Sequence, residues 1–125
     1  MDYRFNDNIP IYIQLVEMIK TDIVSGKYQP GDKLPAVRDM AMELGVNPNT
    51  VQRAFSELER EDLVKSDRTN GRYVTEDKKR IKELLKVLSE KYIDELFEKL
   101  NSLGMSDGQI VKMINNERKK SKWKH

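Results

Sequence analysis

The 125-residue chain has no cysteine, which excludes a disulfide framework and any thiolate-held zinc or iron–sulfur centre. Its lone histidine, His125, stands at the last position and does not read as a metal ligand. No acid–base pair, nucleophile–base pair or metal-ligand cluster is visible, so neither an enzyme, a metal site nor a cofactor is expected. An uncharged apolar run long enough to span a bilayer is also lacking, so no membrane partner is expected. The opening residues, MDYRFNDNIPIY, hold no basic segment followed by an apolar one. A secretory signal is therefore not expected, and the reading is of a cytoplasmic protein. What is present is 38% hydrophobic and 35% charged, a helix-rich composition. A chain this short buries a modest core, which makes oligomerisation a natural supplement.

Residues 2–9 read as irregular. Pro10 suits a helix start, where its missing N–H costs nothing. Ile11, Leu15, Met18, Ile19 and Ile23 then recur at helical spacing and predict a first helix to about Ser25, closed by Gly26. Pro30-Gly31-Asp32 is a turn and Lys33-Leu34-Pro35 a short extended piece. A second helix is predicted from about Ala36 to Leu44, with Val37, Met40, Ala41 and Leu44 as its apolar stripe and Gly45 as its stop. Asn47 is a good N-cap and Pro48 a good first helical residue. The third helix then runs to about Glu61, with Val51, Ala54, Phe55 and Leu58 inward and Asn49, Gln52, Arg53, Ser56 and Arg60 outward. Leu63–Ser66 and Arg72–Val74 read as two short strands around the polar turn 67–71. Thr75 is expected to cap a long helix from about Glu76 to Leu103. After Gly104, Ser106-Asp107-Gly108-Gln109 has the form of a capping box and opens a last helix to about Lys119.

The stretch Leu34–Val74 is thus a helix-turn-helix followed by a two-stranded wing. That order places one helix in the major groove of double-stranded DNA. The fold class expected is mainly α with a small β-wing, a winged helix-turn-helix domain followed by a two-helix unit. The third helix offers the chemistry of base reading: Asn and Gln bond adenine bidentately, and Arg bonds guanine. Arg38 is placed to grip the backbone or reach a base, and Arg68 and Arg72 flank a flexible Asn70-Gly71 wing tip. Charge alone is a weak witness. Residues 1–75 carry 10 Lys/Arg against 12 Asp/Glu, a net of −2, and residues 76–125 carry 13 against 9, a net of +4. A DNA-binding unit of negative net charge must gather its cations on one face.

LPAVRDMAMELGVNPNTVQRAFSELE followed by LVKSDRTNGRYV resembles the DNA-binding domain of the GntR family of bacterial transcription regulators. The upstream PIYIQLVEMIKTDIVSGKYQPGDKLP fits as well, including the G-x-x-x-P-G-D-x-L-P turn at Gly26–Pro35. The resemblance implies that Arg38, the recognition-helix residues Asn47, Asn49, Thr50, Gln52 and Arg53, and the wing residues Arg68, Asn70, Gly71 and Arg72 contact operator DNA. Three positions depart from the family habit: Ala36 where Ser is usual, Asp62 where Gly is usual after the recognition helix, and Thr69 in a wing that commonly reads Gly-x-Gly.

The boundary expected is a DNA-binding domain over 1–75 and a two-helix dimerisation tail over 76–125. A short two-helix tail with the L-G-M-S-D-x-x-I turn at Leu103–Ile110 resembles the YtrA-like subfamily, where it is implied to dimerise the protein. The long helix is too apolar to be covered by one short partner helix, so a homodimer is expected. Its contact residues are Ile81, Leu84, Leu85, Leu88, Tyr92, Leu96, Phe97 and Leu100, with Ile110 and Ile114 from the last helix. Two reading heads about a two-fold axis imply a palindromic operator. Repression, and control of a transporter operon, follow only from the resemblance. No residues mark a small-molecule effector site, though a pocket at the dimer interface stays open. The alternative function is a winged-helix protein-interaction module without specific DNA binding, against which Arg38, Arg53, Arg68 and Arg72 argue.

Overall fold

The apolar residues of the first helix recur so as to bury one face, and that face seats the rest of the reading head. α1 spans Ile11–Val24 and buries Leu15, Val16, Ile19 and Ile23. The stripe therefore begins at Tyr12, which is half-buried, and not at Ile11, which is exposed. In this computed structural model residues 4–67 and 71–120 are described. The remaining elements are α2 (Val37–Leu44), α3 (Pro48–Arg60), β1 (Val64–Asp67), β2 (Gly71–Val74), α4 (Lys78–Ser102) and α5 (Asp107–Lys120). This is the expected mainly helical, winged helix-turn-helix architecture with two C-terminal helices. The chain forms two compact units, one ending at Leu85 and the other beginning at Lys86.

In the first unit α3 packs on both α1 and α2. Its inner face, Val51, Ala54, Phe55 and Leu58, is buried to 1% exposure or less. Burial of a side chain such as Phe55 or Leu58 is worth about 1.5–3 kcal/mol. Rotating α3 about its axis would forfeit several such terms, so the direction of its polar face is fixed by its apolar one.

The ends of α3 are set by local chemistry. At the start, Gly45 takes the left-handed conformation (φ 68°) that closes α2, and the Val46 N–H bonds the Ala41 carbonyl at 3.0 Å. Asn47 then caps α3: its Oδ1 accepts from the Asn49 N–H at 2.8 Å. At the other end the Leu63 N–H reaches the Leu58 carbonyl and the Asp62 N–H the Glu59 carbonyl, both at 3.0 Å. That pair of bonds is a Schellman closure, with Asp62 in the left-handed position (φ 60°). Leu63, expected to open the first strand, instead completes this closure and is fully buried.

β1 and β2 pair antiparallel with Val64 opposite Val74 and Asp67 opposite Gly71. The loop before α2 lies along the other side of β2. Lys33 bridges to Tyr73, the Leu34 N–H bonds the Arg72 carbonyl at 2.9 Å, and the Val74 N–H bonds the Asp32 carbonyl at 2.8 Å. The wing is thereby tied to the turn 30–32 as well as to α3.

Thr75 is not the cap of α4. It is buried, its Oγ1 accepts from the Asp77 N–H at 3.1 Å just ahead of the helix, and its N–H bonds the Leu63 carbonyl. The cap is Asp77, whose Oδ1 accepts from the Lys79 and Arg80 N–H groups at 3.0 and 3.3 Å. In the second unit, Gly104 (φ 96°) closes α4. The box expected at Ser106 is formed: Ser106 Oγ accepts from the Gln109 N–H, and Gln109 Oε1 accepts from the Ser106 N–H. Asn101 Nδ2 clamps the same turn through the Met105 carbonyl and Asp107 Oδ1.

Candidate nucleic-acid interface

Pro48 to Ser56, the first two turns of α3, hold no acidic residue. Asn49, Gln52, Arg53 and Ser56 lie exposed along one face there, and Thr50 is half-buried beside them. Gln52 Nε2 donates to Ser56 Oγ at a long 3.4 Å. The partial positive charge of the helix N-terminus adds to the attraction for a phosphate. Arg38 is exposed in the first turn of α2. Asn47, expected at the DNA, is engaged at its Oδ1 by the cap it makes.

Arg53 is exposed, yet its guanidinium is held. Its Cζ lies 3.8 Å above the centroid of the Tyr12 ring. Tyr12 was not picked out from the sequence. Its signal was its place at the head of the buried α1 stripe, three, four, seven and eleven residues before Leu15, Val16, Ile19 and Ile23.

The second half of α3 and its C-cap carry three acids, Glu57, Glu59 and Glu61, and each has a basic partner. Arg60 grips Glu57 through two hydrogen bonds, Nε to Oε2 at 2.7 Å and Nη2 to Oε1 at 2.6 Å. Lys20 Nζ lies 2.8 Å from Glu61. Glu59 Oε1 accepts from both Ser66 Oγ and Arg72 Nε, each at 2.6 Å. These three carboxylates are thus paired at the helix end away from the candidate reading surface.

One of these pairs moves an expected arginine. Arg72, expected on the wing tip, sits at the wing's root, with its Nε bonded to Glu59 and its Cζ 5.3 Å from the Phe55 ring centroid. Arg60 is exposed as expected and turns along the helix to Glu57. Burial pushes the Glu59 carboxyl up, but the hydrogen bonds from Ser66 and Arg72 and the arginine's charge outweigh it and leave the group below its ordinary 4.5. Glu57 is lowered chiefly by its hydrogen bond from Arg60. Gly71 pairs with Asp67 at the wing's outer end with φ 99°. Arg68, Thr69 and Asn70 lie outside the described residues. Lys65, exposed on β1 opposite Tyr73, is a further wing cation.

The residues expected at a dimer contact divide by exposure. Leu84, Leu88 and Ile110 are buried within the single chain. Ile81, Phe97 and Leu100 are half-buried, and Leu85, Tyr92, Leu96 and Ile114 are exposed. Val87, Ile93, Leu103, Val111 and Met113 are exposed too. Among the described residues no helix is long and apolar enough to cross a membrane.

Three comparisons place this geometry among known proteins. The family model described as "Bacterial regulatory proteins, gntR family" matches residues 11–74. The HTH-type transcriptional regulator YhcF of Bacillus subtilis is 35% identical over 114 residues, 91% of this chain and 94% of that protein. The HTH-type transcriptional repressor YtrA of the same organism is 44% identical over 70 residues, covering 56% of this chain and 54% of its own length. The solved structure of a GntR family transcriptional regulator from Listeria monocytogenes superposes with a TM-score of 0.82 at 39% identity, covering 90% of this chain and 98% of that one.

Proposed function

The chain belongs to the GntR family of bacterial regulatory proteins, and from that premise we propose that it is a dimeric repressor that occupies a palindromic operator. As a family member it is a DNA-binding transcriptional regulator and not an enzyme. The base-reading part of this proposal rests on one observation. The polar face of α3, with Asn49, Gln52, Arg53 and Ser56 exposed, is the helix's acid-free half, and a buried opposite face fixes its direction.

In this reading residues 1–75 are the reading head and residues 76–125 the dimerising tail. Asn49, Gln52 and Arg53 meet base edges in the major groove. Arg38 and Lys65 contact phosphates and set the register, while Arg72 supports the wing from behind. Exposed apolar residues of α4 and α5 pair two chains, and two heads about a two-fold axis read two half-sites. Repression follows from occupancy of a promoter in the cytoplasm. The relative named as the repressor YtrA supports that polarity, and the subfamily resemblance supports a transporter operon as the regulated unit.

Selection of bound duplexes from a random double-stranded DNA library by the full chain tests the reading. The expected outcome is an enriched inverted repeat. Recovery of no enriched sequence would favour the protein-interaction module instead. With the selected duplex in hand, Arg53→Ala is expected to cost about 1–3 kcal/mol and to relax preference at one position of each half-site. An unchanged preference would remove Arg53 from base reading.

A further inference from the structure

We propose that Tyr12 is a positioning residue for DNA recognition: its ring holds the Arg53 guanidinium ready to read a base. The inference rests on the base-reading role given to Arg53 above. It is carried by the 3.8 Å separation between Arg53 Cζ and the Tyr12 ring centroid. At that distance the planar guanidinium lies on the face of the ring, an attraction between the cation and the ring's negative face.

What the ring does is clearest beside the other arginines of the head. Arg72 and Arg60 are held by carboxylates, which neutralise their charge and consume N–H donors. The Tyr12 ring does neither. Stacking uses the flat face of the guanidinium, and its N–H donors lie in the plane of that group, where they match the O6 and N7 acceptors of guanine. The long arginine side chain is thereby ordered before it meets DNA, so less freedom is lost on binding.

The ring itself is anchored. Tyr12 stands in the first turn of α1, about one turn before the fully buried Leu15. The chain entering that turn is pinned by Gln14, whose side chain accepts from the Asn6 N–H at 2.7 Å and donates to the Asn6 and Ile9 carbonyls at 2.7 and 2.8 Å. α1, which makes no base contact in the proposed reading, so controls the aim of a residue on α3.

Affinity of the full chain is measured for the library-selected duplex and for a scrambled duplex of equal length. Tyr12→Met, which keeps apolar bulk but removes the ring face, is expected to weaken selected-duplex binding about three- to ten-fold, the order of one cation–π contact. Scrambled-duplex binding stays unchanged, and Tyr12→Phe retains wild-type behaviour. In an Arg53→Ala background Tyr12→Met is expected to have no further effect. A Tyr12→Met penalty as large in that background as in the wild type would overturn the proposal, because the tyrosine would then act only through the fold. So would a Tyr12→Phe variant as weak as Tyr12→Met. Should Tyr12→Met not fold by circular dichroism, Tyr12→Leu takes its place in the same cycle. If Arg53→Ala alone leaves the duplex preference intact, the reading role of Arg53 has failed, and that result is distinct from non-additivity being absent.

Discussion

Asp62 shows how one residue can record both a local cost and its cause. It occupies the left-handed position (φ 60°) of the closure after α3, where a side chain meets steric crowding that glycine avoids. The family habit of glycine at this site is thus a backbone requirement, and the aspartate meets it under strain. Asp62→Gly is expected to raise stability by about 0.5–1 kcal/mol, since relief of strain exceeds the extra freedom of the unfolded chain. Urea unfolding followed by circular dichroism checks this, and a lower midpoint would show that the carboxylate does something the strain does not reveal. Glu59 carries the corresponding charge effect. Its carboxyl lies below its ordinary 4.5 in the folded state, so the folded state holds the ionised form more tightly than the unfolded state does. Its stabilising contribution is therefore complete above the ordinary value and is lost as pH falls through the lowered one. Glu59→Gln is expected to cost about 1–2 kcal/mol at neutral pH and less on acidification below the carboxylate range. A stability difference from wild type that persists unchanged through acid unfolding would show that the Ser66–Glu59–Arg72 cluster does not hold the wing root.

At the scale of elements, α3 is the part whose two roles separate most cleanly. Asn47 Oδ1 caps the helix at the end proposed to face DNA. Asn47→Ala is expected to cost about 1 kcal/mol of stability through loss of that cap. Asn47→Asp keeps the acceptor and adds an anion, so stability holds while affinity for DNA falls. Thermal unfolding and anisotropy titration measured on the same two variants decide it, and equal affinity for wild type and Asn47→Asp would place the residue away from phosphate. The cap of α3, its Pro48 start, its buried face and the Ser106 box were all legible in the chain because each depends on residues within one or two turns. The features that were not legible depend on residues far apart in sequence. Arg72 reads as a wing-tip cation until Glu59, thirteen residues earlier, is seen to hold it. Thr75 reads as a helix cap, but its Oγ1 reaches only the Asp77 N–H and the cap is Asp77 Oδ1, while the Thr75 N–H ties the chain to the Leu63 carbonyl twelve residues earlier. Leu84, Leu88 and Ile110 read as contact residues for a second chain because periodicity shows a side chain to be apolar without showing what covers it.

For the whole molecule the same division decides where a dimer is to be broken. Leu88, the natural target on periodicity, is only 7% exposed, so a charge there would unfold the unit before it parted two chains. Tyr92 and Leu96, by contrast, stand 43% and 42% exposed four residues apart on α4. A glutamate at either place meets water in the single chain but a desolvated apolar surface in the proposed dimer. The double variant Tyr92→Glu, Leu96→Glu is therefore expected to keep its helical signal while its mass by light scattering falls from two chains to one. Joining two heads multiplies weak half-site affinities through effective concentration, commonly by about 10²–10⁴. Binding to the selected inverted repeat is thus expected to collapse towards the affinity for one half-site, and binding to an isolated half-site to stay as it was. The half-site control gives the result its meaning. Equal losses on both duplexes would indict the fold of the head, whereas a dimer that survives both glutamates would move the interface to another part of α4 and α5, with Val111 and Met113, about half exposed on α5, the next positions to charge.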